Sequence, residues 1–129
     1  MKANELMIGD YISVKPSGMP IKVAAVHLKK VAYHAVVNKL AWVREGLLEP
    51  IPLTEEILEK NGLVKAENPR TGTIMYSFRD SLFRIEVYDF EHVIVVSVYT
   101  DSMYEGFISD VHELQHALRL CGINKEIII

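Results

Sequence analysis

Short apolar runs broken by glycine and proline dominate the first part of the chain. The runs 8–14, 21–27, 33–37 and 40–43 are too short for independent helices and contain β-branched or aromatic residues, which is typical of strands. The segment 15–20 between the first two runs is rich in turn residues. Several short strands separated by glycine are typical of a small SH3-like β-barrel or roll, and we expect one here.

A segment with two prolines, 50–53, separates this region from the rest of the chain. Proline lacks a backbone donor and disfavours the helical region for the residue before it, so we expect an extended connector. The chain 1–129 is then a single compact domain with two lobes, 1–49 and 54–129. Thr54 is the expected N-cap of a short helix that ends near Gly62.

Three further strand-like runs follow, at 73–78, 82–88 and 93–99. Apolar residues at 83, 85 and 87 alternate with charged residues in the middle run, which predicts a sheet with one solvent-exposed side. The third run is apolar on both faces and is predicted to be central in the sheet or covered by another element. These patterns indicate an antiparallel β-meander.

The C-terminal part carries a helical pattern that Ser109 or Asp110 caps and Gly122 ends. Residues 127–129 are apolar, and the segment 126–129 is expected to add a short strand, or to dock on a sheet edge or meet a partner. The expected fold class is therefore α+β, with an SH3-like small β-barrel or roll followed by an antiparallel β-meander packed against a C-terminal helix.

Composition restricts the class of protein and its compartment. The chain has 129 residues, of which 50% are hydrophobic and 24% charged, as in ordinary globular proteins. Its single cysteine, Cys121, cannot form an intramolecular disulfide, fits a reducing compartment and is expected to be a small core residue. We see no membrane-spanning run and no secretion leader, so we expect a soluble cytoplasmic protein without a membrane partner.

The charge is divided unevenly along the chain. Residues 1–48 hold seven basic and three acidic groups, a net charge of +4, and residues 49–129 hold seven basic and fourteen acidic groups, a net charge of −7. A basic first lobe with aromatic residues predicts nucleic-acid binding. An electrostatic match between lobes or subunits is the alternative, with the aromatic residues as core or rim positions. The candidate nucleic-acid residues are Lys22, Lys29, Lys30, Lys39, Arg44, Tyr33 and Trp42.

Near the C-terminus, His112-Glu113-Leu114-Gln115-His116 matches H-E-x-x-H, the helical zinc signature of metalloproteases. Two imidazoles one helical turn apart can bind one zinc ion, and Glu113 would act as the general base on the metal-bound water. Metal candidates are therefore His112 and His116, and the catalytic candidate is Glu113. His27 and His34 have no ligand spacing and are expected to be ordinary strand residues.

Three observations count against a zinc enzyme. A third ligand is missing, because Gly122 stands where the extended motif needs histidine; His92 is the upstream alternative. A helical wheel places both motif histidines on the solvent-exposed side. Finally, Asp110 and Glu113 have the spacing of a capping box, which gives the glutamate a structural role.

Three segments resemble a known group of proteins. They are Glu5-Leu6-Met7-Ile8-Gly9-Asp10-Tyr11, Leu48-Glu49-Pro50-Ile51-Pro52-Leu53-Thr54-Glu55-Glu56-Ile57-Leu58 and Val111-His112-Glu113-Leu114-Gln115. The chain resembles a small protein family, with no assigned activity, of Bacteroidetes genomes and their phages or mobile elements. In that family the position of Glu113 is commonly glutamine and His116 is not fixed. The resemblance therefore implies that the general base is dispensable.

These observations predict a non-catalytic intracellular interaction module of phage or mobile-element origin, with no cofactor and with a protein partner or self-association. Nucleic-acid binding through the basic first lobe is the alternative. A zinc-dependent hydrolase using His112, Glu113 and His116 is the second alternative.

Overall fold

The computed structural model describes residues 1–79, 83–90, 93–99 and 105–129 of the chain. It has the predicted α+β class, with three antiparallel sheets and a C-terminal helix. The chain divides into two compact units, Met1–Ile51 and Pro52–Ile129. The boundary between the units falls inside the two-proline segment.

The N-terminal unit consists of short strands and two single-turn 3-10 helices, Ala3–Glu5 and Glu45–Leu47. The strands form two separate three-stranded sheets, in the orders β2-β1-β6 and β3-β4-β5. This unit is described in full and contains no closed barrel. Its strands are β1 (Tyr11–Val14), β2 (Met19–Lys22), β3 (Ala25–His27), β4 (Lys30–Val36), β5 (Lys39–Arg44) and β6 (Leu48–Pro50).

Both sheets of this unit contribute to one hydrophobic core. Ile12 and Ile21 come from the first sheet, and Val31 and Val43 come from the second. Val31 and Val43 are register partners in β4 and β5, so they lie on the same face of their sheet. The residues that alternate with them must point to the opposite face, which the structure leaves exposed at Lys30, Trp42 and Arg44.

The C-terminal unit contains the predicted meander. Its five described strands form one antiparallel sheet in the order β11-β10-β9-β8-β7, in which β10 has a neighbour on each side, as predicted. The elements are α1 (Glu55–Lys60), β7 (Val64–Glu67), β8 (Ile74–Ser77), β9 (Arg84–Phe90), β10 (Val93–Tyr99), β11 (Glu105–Ile108) and α2 (Val111–Leu120).

Local signals in this unit agree with the structure. The Thr54 hydroxyl accepts a hydrogen bond from the Ile57 N–H at 3.2 Å, which confirms Thr54 as the N-cap of α1. Phe83 and Ile85 are buried and Arg84 is exposed, as the alternation predicts, but Glu86 and Val87 are both half-buried, so the alternation holds only at the start of the run. These positions depend mainly on neighbours in sequence, and sequence patterns report such neighbours well.

The C-terminal end docks without forming a strand. Ile127 is 1% exposed, but residues 126–129 have no strand conformation, so the expected terminal strand is wrong. The amide side chain of Asn61 replaces a strand partner. Its Nδ2 donates to the Ile128 carbonyl at 2.7 Å, and its Oδ1 accepts from the Ile128 N–H at 2.8 Å. The buried Asn61 side chain therefore forms the hydrogen bonds that a neighbouring strand would otherwise form with the N–H and carbonyl of Ile128.

Candidate functional site

The exposed face of the β3-β4-β5 sheet gathers basic and aromatic side chains. Strand register pairs His27 with Lys30 and Lys30 with Arg44, and in the next row it pairs Ala32 with Trp42. A third row pairs His34 with Leu40. Register partners point to the same side of a sheet, so these residues share one face. We call this surface the outer face; its exposed members are His27, Lys30, His34, Leu40, Trp42 and Arg44.

Trp42 lies on the edge strand β5, in the middle of the three rows of the outer face, and is 47% exposed. The Lys30 ammonium lies 4.7 Å from the centroid of the indole ring, within cation–π distance. The His27 ring meets the indole edge-on, with centroids 6.4 Å apart and an interplanar angle of 85°. The indole is therefore held beside a cation while about half of its surface remains available to a ligand.

The electrostatic character of the outer face is uniform. Strands β3, β4 and β5 contain no aspartate or glutamate, whereas Lys30 and Arg44 are direct cross-strand neighbours. Like charges placed opposite each other repel, which costs stability unless an anion lies between them. The arrangement is suited to a ligand that brings negative charge.

The structure brings together some of the predicted nucleic-acid residues and separates others. Lys30, Trp42 and Arg44 share the outer face. Lys29 lies in the adjoining β3–β4 turn, where its carbonyl accepts a hydrogen bond from the Glu45 N–H at 2.9 Å. Lys39 alternates with the outer-face residues of β5 and begins that strand on the other side.

Tyr33 and Lys22 are placed away from the outer face. Tyr33 is half-buried and packs against the core of the N-terminal unit. Lys22 belongs to β2, and its ammonium lies 5.7 Å from the centroid of the Tyr11 ring. Both residues line a cavity of about 560 Å³. Its lining is Ile8, Gly9, Met19, Pro20, Ile21, Lys22, Val23, Ala24, Tyr33 and His34.

Sequence reasoning missed His27, His34 and Leu40 as members of this surface. The sequence did contain a signal for His34 and Leu40, which is the alternation of positions along each strand. In β4 the positions 30, 32 and 34 alternate with the core-facing positions 31 and 33, and in β5 the positions 40, 42 and 44 alternate with 41 and 43. A two-residue period places such positions on one face of a strand. His27 and His34 were expected to be ordinary strand residues because only their spacing as metal ligands was considered.

The H-E-x-x-H motif lies in α2, but its side chains are less exposed than predicted. His112 and Gln115 are each 7% exposed and His116 is half-buried, so their placement on a solvent-exposed side is wrong. A helical wheel assumes one buried side, whereas α2 is covered around more of its circumference. Cys121, which was expected to be a small core residue, is half-buried at the C-cap of α2.

The carboxylates at the start of α2 do not form the predicted capping box. Asp110 is the N-cap residue, but its side chain makes no capping hydrogen bond. The Ser109 hydroxyl donates to Glu113 Oε1 at 3.3 Å instead. Burial, followed by a hydrogen bond to Asp110 and the negative charge of Asp110, raises the pKa of the Glu113 carboxyl.

Metal-ligating groups at α2 also differ from the motif. The ligand atoms of Asp110, His112 and Glu113 lie within 4.8 Å of one another. His116 is not part of this cluster, and within the described ranges no group of three metal-ligating residues joins His112 to His116. His92, the upstream candidate, lies outside the described residues. The zinc-hydrolase interpretation stays a prediction without a third ligand for its histidine pair.

Comparisons with known proteins do not assign a family. Scans of family models, curated proteins and solved structures found no significant match. The resemblance to Bacteroidetes and phage proteins therefore stays a prediction. In the part of the chain that the structure describes, no helix is long and apolar enough to cross a membrane.

Proposed function

We propose that the chain is a non-catalytic binding module whose N-terminal unit binds single-stranded nucleic acid on the outer face. The observation that carries the proposal is the placement of Trp42 beside Lys30 and Arg44 on one exposed sheet face. Proteins that bind single strands combine cations that neutralise the backbone with aromatic rings on which bases stack. The outer face holds both kinds of group within three neighbouring strands.

The two cations and the indole would have separate roles. Phosphate oxygens attract Lys30 and Arg44, and the arginine can offer two parallel donors to one phosphate. Lys30 has a flexible stem, so its ammonium can leave the indole for a phosphate and let a base stack on the ring. This exchange conserves favourable contacts for both groups.

We also propose that the N-terminal unit is an SH3-like roll. Between β2 and β3 the chain changes sheets: the Val23 N–H donates to the Asp10 carbonyl, and the Ala24 N–H donates to the Ala32 carbonyl, each at 2.8 Å. The two strands thus behave as halves of one bent strand. A single 3-10 turn, Glu45–Leu47, then precedes the last strand, as is typical of such rolls. Small rolls of this kind present one sheet face and the adjoining loops to ligands.

A cytoplasmic location is part of the same proposal. It rests on the single cysteine, which fits a reducing compartment. Phage or mobile-element origin rests only on the sequence resemblance. Both are secondary to the binding activity and are not needed to test it.

Fluorescence anisotropy of a labelled oligonucleotide of about 12 nucleotides tests the proposal, since single-strand sites cover roughly 4–16 nucleotides. We expect binding at low salt that weakens steeply as salt rises. Each phosphate contact contributes about 0.7 to the slope of log K against log salt. The double variant Lys30→Ala/Arg44→Ala should therefore bind more weakly and lower that slope by about 1.4.

The matched control is Lys60→Ala/Lys65→Ala, which removes the same charge from exposed positions in the C-terminal unit. This control should retain both the affinity and the salt slope. The proposal is wrong if no oligonucleotide binds at low salt, or if the control loses as much affinity as the outer-face variant.

A further inference from the structure

The cavity in the N-terminal unit has the size and lining of a ligand site. Its volume of about 560 Å³ lies within the roughly 300–1,000 Å³ typical of small-molecule pockets. Strand β2 and the bend after it supply most of the lining, Ile8 and Gly9 supply another part, and Tyr33 and His34 of β4 complete it. Large apolar side chains remain exposed there, with Ile8 at 67% and Met19 at 42%. Such exposure is costly in water and is relieved when a ligand covers it.

The lining also restricts the charge of the occupant. Lys22 and His34 can carry positive charge, and Tyr33 offers an aromatic ring with a hydroxyl. None of the described lining residues is acidic. An apolar cavity with cationic groups is complementary to a ligand that is flat and apolar in one part and anionic in another. A nucleotide, with a base and a phosphate, has this division.

The cavity adjoins the outer face through a shared residue. His34 lines the cavity and is also the outer-face partner of Leu40. It lies diagonal to Trp42, two positions along the neighbouring strand, and such diagonal pairs are about 7–8 Å apart. A strand whose bases stack on Trp42 can therefore reach the cavity within one or two nucleotides.

We infer that this cavity seats one nucleotide of the bound strand, with its base against Tyr33 and Met19 and its phosphate near Lys22. The inference rests on the proposed function and adds a second subsite to it. His34 lies between the subsites and contacts the intervening backbone. Tyr33 and Lys22, which the outer face leaves out, thereby receive a role in the same binding surface.

Adenosine 5′-monophosphate is the probe, with adenosine and inorganic phosphate as partial ligands. In amide NMR spectra of the full chain, we expect the complete nucleotide to shift resonances at 19, 21–24 and 33–34 at lower concentration than either part. An adventitious anion site would respond equally to inorganic phosphate, and that result would overturn the inference. Preference for an aromatic acidic peptide over the nucleotide would also overturn it.

The variant Ile8→Glu places a negative charge at the cavity, at a position exposed enough to tolerate it. Its matched control is Leu120→Glu in the C-terminal unit, where the leucine is 65% exposed compared with 67% for Ile8. We expect Ile8→Glu to weaken nucleotide binding by at least about fivefold, the effect of one adverse charge at close range in water, and Leu120→Glu to leave it unchanged. Thermal melts check that both variants fold.

Oligonucleotide anisotropy with the same variants separates this inference from the proposed function. If the oligonucleotide binds and Ile8→Glu behaves like Leu120→Glu, the cavity inference is wrong and the outer-face proposal stands. If the nucleotide binds in the cavity but no oligonucleotide binds, the proposed function is wrong. The inference that the cavity holds one nucleotide of a bound strand is then wrong as well. Reduced oligonucleotide affinity in Ile8→Glu alone, together with nucleotide shifts at the cavity, supports both.

Discussion

The outer face of the N-terminal unit and the start of α2 in the C-terminal unit both carry histidines beside charged groups, but they differ in access. Trp42 on the outer face is 47% exposed, whereas His112 in α2 is 7% exposed. The outer-face strands contain no acidic residue. At α2, two carboxyl groups, those of Asp110 and Glu113, are close enough to share a hydrogen bond. A ligand from solution can reach the first group of side chains far more easily than the second.

The comparison shows that a specific spacing of residues in the sequence does not by itself make their side chains available to a ligand. The α2 motif has the more specific spacing, yet several of its side chains are buried. The carboxyl group of Glu113 accepts a hydrogen bond from Ser109 and interacts with Asp110. The outer face has only a two-residue alternation, but the alternation leaves its polar side chains exposed. We therefore propose binding at the outer face and a structural role for α2.

The largest expected effect tests the structural role of α2. Leu114 is fully buried, and Leu114→Ala removes apolar contacts and leaves a cavity, which costs about 2–5 kcal/mol of the free energy of unfolding. In urea unfolding followed by circular dichroism, a loss of about 3 kcal/mol lowers the midpoint by roughly 1.5 M for a slope of about 2 kcal/mol/M.

The matched control for this variant is Leu120→Ala, because Leu120 ends the same helix and is 65% exposed. We expect this control to change the midpoint little. Equal losses in the two variants would show that burial does not distinguish the positions and would contradict the structural role of α2.

Much of the fold could be predicted from local patterns. The alternation at the start of β9, the Thr54 cap and the interior position of β10 were predicted because each depends on neighbouring residues or on a run that is apolar on both sides. The arrangement of the N-terminal strands as two sheets was not predicted. It depends on the change of sheet partner between Val23 and Ala24, which no residue type signals.

The candidate sites were predictable to different degrees. Trp42, Lys30 and Arg44 could be chosen from charge and composition, and their common face follows from period-two alternation. The cavity could not be predicted, because it needs Ile8, Met19 and Tyr33 to meet through the tertiary fold. The burial of His112 was wrongly predicted because a helical wheel does not report how many sides of a helix are covered.

The second largest effect concerns the outer face. Trp42→Ala should weaken oligonucleotide binding about fivefold to 150-fold, because stacking one base on an aromatic side chain contributes roughly 1–3 kcal/mol. Trp42→Phe should restore part of the affinity, since a smaller ring still stacks. Trp42 is not part of the core cluster of the N-terminal unit, and thermal melts check that both variants remain folded. Anisotropy of the labelled oligonucleotide measures the binding.

Phe107→Ala is the control for Trp42→Ala, because it removes a 73% exposed aromatic side chain from the other unit. It should bind oligonucleotide like the parent protein. The chain's only tryptophan is Trp42, so its fluorescence also reports ligand stacking directly in the unmodified protein. If the fluorescence emission of Trp42 does not change at a saturating oligonucleotide concentration, the ligand binds elsewhere. The proposed difference between a binding outer face and a structural α2 would then be wrong.

The smallest expected effect concerns the carboxyl pair at α2. Because burial and Asp110 raise the pKa of Glu113, the folded protein holds this proton more tightly than the unfolded chain does. The folded state is thus penalised above the folded-state pKa, and the penalty disappears as pH falls through that pKa towards the ordinary value. Glu113→Gln removes the charge and retains an oxygen that can accept from Ser109. It should raise the stability at pH 7 by less than about 0.5 kcal/mol, since solvent screens a partly exposed group.

Thermal melts across pH provide the measurement, and Glu56→Gln in the first turn of α1 is the control. Glu56 is exposed at a helix N-terminus, where negative charge is favourable, so its replacement should be neutral or slightly destabilising at pH 7. The gain from Glu113→Gln should shrink as pH falls to about 4, because the parent carboxyl then takes up its own proton. If Glu113→Gln instead destabilised the protein at pH 7, the favourable charge at the helix N-terminus would outweigh burial and Asp110. The start of α2 would then be a stabilised anion, which is the state that a metal or cationic ligand requires.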